Sequence, residues 1–338
     1  MTQHHGGDLE ALMRRHGFAA EEILDLSTGI APRSWPVPPS LLNPASWQPL
    51  PQSRDETALI EAARRSLNLD ESAAVCLAPG SQILINLAAR LRPPGQVLVP
   101  QPAYTEHERA WAACGHGIGH YEAGTQPPSA TADTVIAVQP GNPMGDHLPP
   151  EDWCDHADQL AEKGGLLVVD EAFADLIPEA SLTRYCGREG LLVLRSFGKF
   201  YGLAGLRLGL AIGHQDDISR LQAMLGPWAV STPALQIGAA ALADTAFQEA
   251  QRQWIKAAHK QLVSVLEHHG ITRIGGTGLY VLAAVDDAAR LQDHLGKAAI
   301  WTRIFEGRPG WIRFGLPGDD TGLARLDAAL ADWREGIK

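Results

Sequence analysis

The residues most able to do chemistry lie in the segment 191–213, where a single lysine, Lys199, sits in a glycine-rich turn between two strand-like apolar runs. Apolar residues surround it in the chain, and an amine in such surroundings loses its proton readily and becomes nucleophilic. Ser196 lies three residues before Lys199, and Arg207 lies eight residues after it. A hydroxyl and a guanidinium beside the lysine are groups that would hold a phosphate. The segment therefore predicts a Schiff-base lysine that holds a phosphorylated aldehyde.

Two polar side chains follow earlier apolar runs. Asp170 ends one run, and Asn142 follows another in the sequence VIAVQPGNPMG. Asn142, Asp170 and Lys199 are separated by 28 and 29 residues, each at the carboxyl end of an apolar run, where open α/β sheets bind ligands. Taken singly, they have plainer interpretations as a turn, a helix cap and a surface lysine. Their order and spacing favour one shared site.

The run S-x-x-K-x-x-x-x-x-G-x-R, from Ser196 to Arg207, resembles the lysine segment of the pyridoxal-phosphate enzymes of the aspartate aminotransferase fold. The segments around Asp170 and Asn142 resemble other segments of that family. The resemblance implies that Lys199 binds pyridoxal 5′-phosphate, that Asp170 pairs with the protonated pyridine nitrogen, and that Asn142 hydrogen-bonds the ring O3′. A carboxylate that keeps the pyridine protonated makes the ring an electron sink. Lys199 and Asp170 are therefore the predicted catalytic residues.

Two further segments are predicted to contact the cofactor. Gly80, Ser81 and Gln82 form a strand-to-helix turn whose backbone N–H groups suit a phosphate, with a bare helix cap as the alternative. Tyr104 occupies the position where the resemblance implies an aromatic ring stacked on the pyridine, with a packed core tyrosine as the alternative. The predicted cofactor-binding set comprises Lys199, Asp170, Asn142, Tyr104, Gly80, Ser81, Gln82, Ser196 and Arg207.

Two arginines near the end of the chain indicate the substrate class. Arg313, in WIRFGLP, matches the arginine with which the family grips the substrate α-carboxylate, so the resemblance implies an amino acid substrate. Arg303 lies ten residues upstream, and His5 precedes two glycines and a predicted helix. These donors suggest a second anion, with a solvent-exposed Arg303 and a disordered N-terminus as the alternative. The predicted substrate-binding set comprises Arg313, Arg303, His5, Gly29 and Asn142, and no metal site is expected.

The start HGGD, the run DLSTGIAP and the run RSFGKFYGLAGLRLG together resemble threonine-phosphate decarboxylases of cobalamin biosynthesis more closely than histidinol-phosphate aminotransferases. The resemblance implies a lyase that decarboxylates L-threonine O-3-phosphate to (R)-1-aminopropan-2-yl phosphate, with Arg303 and His5 on the phosphate. An aminotransferase that acts on histidinol phosphate or a related amino phosphate is the alternative, because a sequence does not show which bond breaks. A third hypothesis is a regulatory domain that binds the cofactor without turnover. It would normally follow a basic DNA-binding segment, and none precedes Asp8.

Three positions depart from the family pattern. Phe173 replaces a tyrosine common after D-E-A in aminotransferases, which removes a hydrogen bond to O3′. Met144 stands where N-P-T-G would place threonine, and Leu50 occupies the place of a tyrosine that reaches the neighbouring subunit in many relatives. Phe173 also occurs in the decarboxylase group and favours it. A homodimer is still expected.

The fold class follows from alternating strand-like runs and helical patterns between about Ala73 and Gly213. This alternation predicts an α/β protein with a mostly parallel sheet covered by helices on both faces. The resemblance implies the large domain of pyridoxal-phosphate fold type I, with a smaller α+β domain. We expect a cofactor-binding domain over 41–228 and a small domain formed by 1–40 and 229–338. Helices are predicted over roughly Pro233–His268 and Asp320–Arg334.

Composition limits the remaining function classes. A chain of 338 residues with 45% hydrophobic content has enough material for both domains. The formal net charge of −11 disfavours nucleic acid as a partner. The chain shows no export signal, no membrane-spanning run and no C-x-x-C spacing among its four cysteines. These features predict a cytoplasmic enzyme with reduced cysteines and a small-molecule amino acid phosphate as substrate.

Overall fold

The computed structural model of the chain describes residues 6–335, which divide into two compact units. The larger unit comprises Ser34–Glu249, and the smaller comprises the described residues up to Arg33 together with those from Ala250 onward. That residues 41–228 form the cofactor-binding domain stays a prediction. Within the described residues, no helix is long and apolar enough to cross a bilayer.

The strands are short and lie mostly in the middle and near the end of the chain. They are β1 (Leu24–Asp25), β2 (Ala74–Ala78), β3 (Gln96–Gln101), β4 (Gly117–Glu122), β5 (Thr134–Val138), β6 (Leu166–Asp170), β7 (Leu191–Ser196), β8 (Gly209–Gly213), β9 (Thr272–Gly275), β10 (Tyr280–Ala284), β11 (Ile300–Trp301), β12 (Arg303–Phe305) and β13 (Arg308–Gly315). The α-helices are α1 (Leu9–His16), α2 (Ser53–Ser66), α3 (Ser81–Ala88), α4 (Glu106–Ala113), α5 (Pro150–Ala161), α6 (Gln215–Leu225), α7 (Thr232–Ala243), α8 (Thr245–His268), α9 (Ala288–Lys297) and α10 (Asp320–Glu335).

The larger unit contains a seven-stranded sheet in the order β2-β8-β7-β6-β5-β3-β4. All neighbours are parallel except β8, which runs antiparallel to both β2 and β7. Strands β5, β6 and β8 are buried at every position, as expected for aliphatic runs covered on both faces. Flanking helices pack on the sheet and fully bury Leu84, Trp111 and Leu221. The predicted α/β fold with a mostly parallel sheet is confirmed.

The direction of the strands determines where their polar residues meet. Since β2, β3, β5, β6 and β7 all run the same way, their carboxyl ends lie along one edge of the sheet. Asp170 and Ser196 are the last residues of β6 and β7. Gly80, Tyr104 and Asn142 follow the ends of β2, β3 and β5 within a few residues. The antiparallel strand β8 begins at the same edge, two residues after Arg207.

The smaller unit is built on an antiparallel sheet in the order β12-β13-β10-β9, with a separate parallel pair, β1-β11. Helix α9 packs against α1, α10 and the strands β11, β12 and β13. Its leucines Leu291 and Leu295 are fully buried. A leucine side chain that is fully buried stabilises the folded state by about 1.5–3 kcal/mol. The predicted smaller α+β domain is also confirmed.

The predicted helical stretch over Pro233–His268 is interrupted at Asp244. Its Oδ1 accepts a hydrogen bond from the backbone N–H of Phe247 at 2.9 Å, and its Oδ2 accepts one from Nε1 of Trp35 at 3.1 Å. An aspartate that bonds the N–H three residues later starts a new helix. The apolar periodicity continues on both sides, so the break was not visible in the pattern. The second predicted helix is observed as α10.

Candidate active site

Asp170 is buried, with 5% of its surface exposed, and both of its carboxylate oxygens have donors. Oδ1 accepts from the backbone N–H of Ala172 at 3.0 Å, and Oδ2 lies 2.9 Å from Nε2 of His107. A carboxylate only accepts, so Nε2 of His107 carries the shared proton. These two donors fix the carboxylate at the carboxyl end of β6.

Sequence reasoning missed His107, which is fully buried in the first turn of α4. Its ring lies 6.3 Å from the ring of Tyr104, edge to face. The only signal was the spacing Y-x-x-H, which puts the two side chains on one face of a helical turn. Among the described residues, Nδ1 of His107 has no hydrogen-bond partner, so the interaction with Asp170 is the polar contact that holds this ring.

Lys199 lies in the turn after β7 and is half-buried. Its Nζ is 5.9 Å from the centre of the Phe173 ring, and Phe173 is buried in the larger unit. This distance is within the range of a cation–π contact. The face of the Phe173 ring attracts the positive charge of the lysine without accepting a hydrogen bond from it.

Three of the predicted phosphate-binding elements converge at the start of α3. Gly80 has φ +94°, and a Cβ on it would overlap the guanidinium of Arg207. Gly209 pairs in register with Ser196, and a Cβ on Gly209 would overlap the backbone of Ser81. Glycines at both positions therefore let Arg207, the β7–β8 end and the α3 N-terminus approach closely.

This cradle fits a phosphate. The first N–H groups of a helix have no partner within the helix and carry its positive end. Ser81 and Gln82 supply such groups, and the guanidinium of Arg207 lies against the backbone of Gly80 beside them. Arg207 itself adopts a left-handed conformation, φ +54°, and its Nη1 donates to the carbonyl of Ala204 at 3.3 Å. A non-glycine residue in that conformation is held by its surroundings, which keeps the guanidinium in place.

Tyr104 joins two of the predicted segments. Its Oη donates a hydrogen bond to Oε1 of Gln82 at 2.9 Å. Burial raises the pKa of Tyr104 to about 12, so the hydroxyl keeps its proton at neutral pH and remains a donor. Because Tyr104 engages only the acceptor oxygen of the Gln82 side chain, the backbone N–H and the Nε2 amide are the groups of Gln82 that can donate to a phosphate.

Asn142 lies half-buried in the loop between β5 and α5. Cis peptide bonds precede Pro140 and Pro143 on either side of it. The loop is closed internally by a hydrogen bond from the N–H of Gly141 to the carbonyl of Asp146 at 2.7 Å. This hydrogen bond gives the backbone around Asn142 a defined path beyond the end of β5.

The smaller unit holds the two predicted substrate arginines as neighbours. Arg313 on β13 lies directly opposite Arg303 on β12 in the strand register. Arg313 is 9% exposed, donates from Nη2 to the carbonyl of Ser27 at 2.8 Å, and stacks over the Tyr280 ring with Cζ 4.8 Å from its centre. Burial lowers the pKa of the Arg313 guanidinium, and the charge of Arg303 lowers it further.

Two like charges side by side suit an anionic ligand. Of the other predicted substrate residues, Gly29 is buried two positions after Ser27 in the same unit. His5 lies outside the described residues. Within the described residues, no cluster of three or more His, Cys, Asp or Glu side chains could hold a metal ion.

Comparison with known proteins gives the chain its family. Residues 46–330 match the family described as aminotransferase class I and II. A threonine-phosphate decarboxylase of Pseudomonas aeruginosa is 40% identical over 336 residues, covering 98% of each chain. A threonine-phosphate decarboxylase of a Sinorhizobium species is 39% identical over 332 residues, covering 97% of each chain.

A solved structure confirms the fold. The crystal structure of histidinol-phosphate aminotransferase from Sinorhizobium meliloti in complex with pyridoxal-5′-phosphate superimposes with a TM-score of 0.84 at 20% identity, covering 97% of this chain and 95% of that one. The resemblance inferred from the segments around Asn142, Asp170 and Lys199 is thus confirmed at the level of the whole chain. By this match across most of its length, the chain belongs to the aminotransferase class I and II family.

Proposed function

We propose that the protein is a pyridoxal-phosphate-dependent lyase that decarboxylates L-threonine O-3-phosphate to (R)-1-aminopropan-2-yl phosphate in cobalamin biosynthesis. The observation that carries this proposal is the 40% identity to a threonine-phosphate decarboxylase over nearly the full length of both chains. The site residues agree with it, because the larger unit offers a phosphate cradle with a lysine and a buried carboxylate, and the smaller unit offers a pair of arginines.

The residues of the larger unit fit pyridoxal phosphate. The N-terminus of α3, Ser196 and Arg207 would hold its phosphate, and Lys199 would bind its aldehyde carbon. When bound, the cofactor supplies an electron sink for the bond that breaks at the substrate Cα. Asp170 would hold a proton on the pyridine nitrogen, and its own orientation is held by His107 and the N–H of Ala172.

Lys199 would have a second task once the substrate amine replaces it on the cofactor. It would take up the proton that the substrate ammonium gives up, and its ammonium group could then deliver a proton to the carbon that has lost carbon dioxide. The half-buried position next to the Phe173 ring keeps the amine near the site and away from bulk water. We assign proton transfer at the substrate Cα to Lys199.

Each of the two arginines would bind one of the two anionic groups of the substrate. Arg313 is the buried member, held by the Ser27 carbonyl and the Tyr280 ring, so its fork is oriented before ligand arrives. We assign the α-carboxylate to Arg313 and the side-chain phosphate to Arg303, with His5, Gly29 and Asn142 completing the set. The orientation of the carboxylate decides whether carbon dioxide or a proton leaves Cα, so Arg313 would set the reaction outcome.

An aminotransferase that acts on histidinol phosphate is the second candidate. It is favoured by the fold shared with the Sinorhizobium meliloti enzyme, but that protein is only 20% identical. A related amino phosphate would use the same phosphate-binding arginine.

We also infer a homodimer located in the cytoplasm. Large apolar side chains of the larger unit are exposed, which is typical of a surface covered by another protein chain, and they are Leu42, Trp47, Leu50, Met224 and Trp228. All four cysteines are free thiols, as expected in a reducing compartment.

The deciding experiment is product analysis by proton NMR after incubation with threonine phosphate, with and without 2-oxoglutarate. Formation of (R)-1-aminopropan-2-yl phosphate that does not depend on the keto acid supports the lyase. Formation of glutamate that requires the keto acid would instead identify an aminotransferase.

A further inference from the structure

A buried glutamine, Gln139, uses its whole side-chain amide to join three segments of the larger unit. Oε1 accepts from the backbone N–H of Leu148 at 3.1 Å and from Nε1 of Trp153 at 2.5 Å. Nε2 donates to the carbonyl of Ala180 at 2.6 Å. Only 1% of Gln139 is exposed, so water does not replace these bonds if they are lost.

The bond to Leu148 closes the loop that carries Asn142. Gln139 is the first residue after β5, and Leu148 is the ninth residue beyond it, near the start of α5. A side-chain oxygen at one end of the loop that binds an N–H at the other end fixes the distance between the two ends. The internal bond from Gly141 to Asp146 then determines the path of the backbone around Asn142.

The bond to Ala180 connects the same glutamine to the region of Asp170. The next residues, Ser181 and Leu182, hold the Glu171 carboxylate through Oγ and N–H donors, each at 2.6 Å. Glu171 directly follows Asp170 and is further held by Arg195 at 2.9 Å. The backbone N–H of Gln139 also donates to the carbonyl of Asp170 at 2.9 Å.

We propose that Gln139 is a positioning residue that sets the place of Asn142 relative to Asp170. The neutral amide of Gln139 thereby links the loop that carries Asn142 to the region at the end of β6, where Asp170 lies. Its consequence for the reaction rests on the proposed function, in which these two residues contact opposite parts of the cofactor ring. The motif Q-P-G-N-P identifies a turn but not this link.

The test uses the full-length protein as purified and compares Q139L with W153F. The matched control W153F removes a donor to the same Oε1 but leaves the Leu148 and Ala180 bonds in place. Amide hydrogen exchange is measured for residues 140–148. We expect exchange in Q139L to be on the order of tenfold faster there, and unchanged in W153F. Equal exchange in the two variants would overturn the proposal.

A spectroscopic measurement separates this inference from the proposed function. The pH midpoint of the visible absorption of the cofactor-loaded protein, without substrate, is compared for Q139L and N142A. Both variants are expected to shift it in the same direction, while W153F leaves it unchanged. A shift in N142A without one in Q139L would exclude the positioning role. No shift in N142A would contradict the proposed contact of Asn142 with the cofactor, and the exchange data would still decide the role of Gln139.

If Q139L does not fold, Q139M provides the same test with a side chain of closer shape. A methionine has neither an amide oxygen for Leu148 nor an amide donor for Ala180. We expect faster exchange at residues 140–148 and at 180–182. Wild-type exchange in both segments would overturn the proposal.

Discussion

The carboxyl edge of the large sheet and the arginine pair of the small sheet differ in the signs of the charged groups that lie next to each other. At the large sheet, acidic groups lie beside donors from the same unit, as Asp170 does with His107 and Glu171 with Arg195. At the small sheet, Arg303 and Arg313 are direct neighbours of the same sign. We propose that the first region is a preorganised catalytic framework. In a chain of net charge −11, the second places two positive charges side by side, and we propose that it binds the anions of the substrate.

This difference predicts two kinds of mutational effect. Changes at the large sheet should impair turnover of every substrate, because they remove parts of the framework. Changes at the arginine pair should depend on which anions the substrate carries.

Lys199→Ala should abolish turnover and the adduct that borohydride reduction traps, because no other group of the framework can bind the aldehyde covalently. Peptide mass spectrometry locates the trapped cofactor. Lys163→Ala is the matched control, since Lys163 is an exposed lysine of the same unit whose Nζ binds the carbonyl of Ser129. A trapped adduct at a lysine other than Lys199 would overturn the central assignment.

Asp170→Ala should keep the cofactor but lower turnover about 10²–10⁴-fold, the range for a group that manages a proton in the reaction. Cofactor should be retained because the cradle of Ser196, Arg207 and the α3 N-terminus is unchanged. Bound cofactor is measured by absorbance and turnover by carbon dioxide release. Turnover close to that of the wild type would remove Asp170 from the mechanism.

Arg303 is half-buried, so Arg303→Ala should weaken the binding of threonine phosphate by about 1.5–3 kcal/mol, the range for a hydrogen bond to a charged group. It should hardly affect plain threonine. Arg313→Ala should weaken both ligands and change the ratio of products, because the carboxylate is no longer oriented. A double-mutant cycle of protein change against substrate phosphate measures the coupling. A coupling energy near zero for Arg303 would reject the assignment of the phosphate.

The sequence predicted the large sheet and its polar edge because aliphatic runs end in single polar residues, as β6 does at Asp170. It did not predict side chains that reach the site from other elements. His107 comes from a helix with no apolar run to mark its role, and Gln139 is part of a turn motif. The pairing of Arg303 with Arg313 depends on a register that shifts between Ile304 and Phe305, which spacing alone does not reveal. Local pattern thus predicts elements, while side-chain partners depend on tertiary packing.

His107→Phe tests whether the framework depends on the partner of Asp170. Phenylalanine keeps a ring but has no N–H, so Oδ2 of a buried carboxylate loses its donor, which costs about 1–3 kcal/mol. We expect the transition state of every substrate to lose this much stabilisation, which is measured as a fall in kcat/KM. His116→Phe is the control, because His116 is also buried but binds the carbonyl of Ala89 at 2.9 Å and not Asp170. A similar fall in kcat/KM for both variants would reduce His107 to a structural role.

Tyr104→Phe should have the smallest effect, because it removes one neutral hydrogen bond and keeps the ring. Loss of the donor to Gln82 is expected to weaken cofactor binding by about 0.5–1.5 kcal/mol, measured by titration of the cofactor-free protein. The pKa of Tyr104, about 12, places its deprotonation above the working range, so below about pH 10 the variant and the wild type should show pH profiles of the same shape. Tyr185→Phe removes a hydroxyl that donates to Glu151 at the surface and should leave cofactor binding unchanged. A changed pH profile in Tyr104→Phe would show that the hydroxyl takes part in proton transfer, and Tyr104 would then belong to the reacting groups rather than to the framework that holds them.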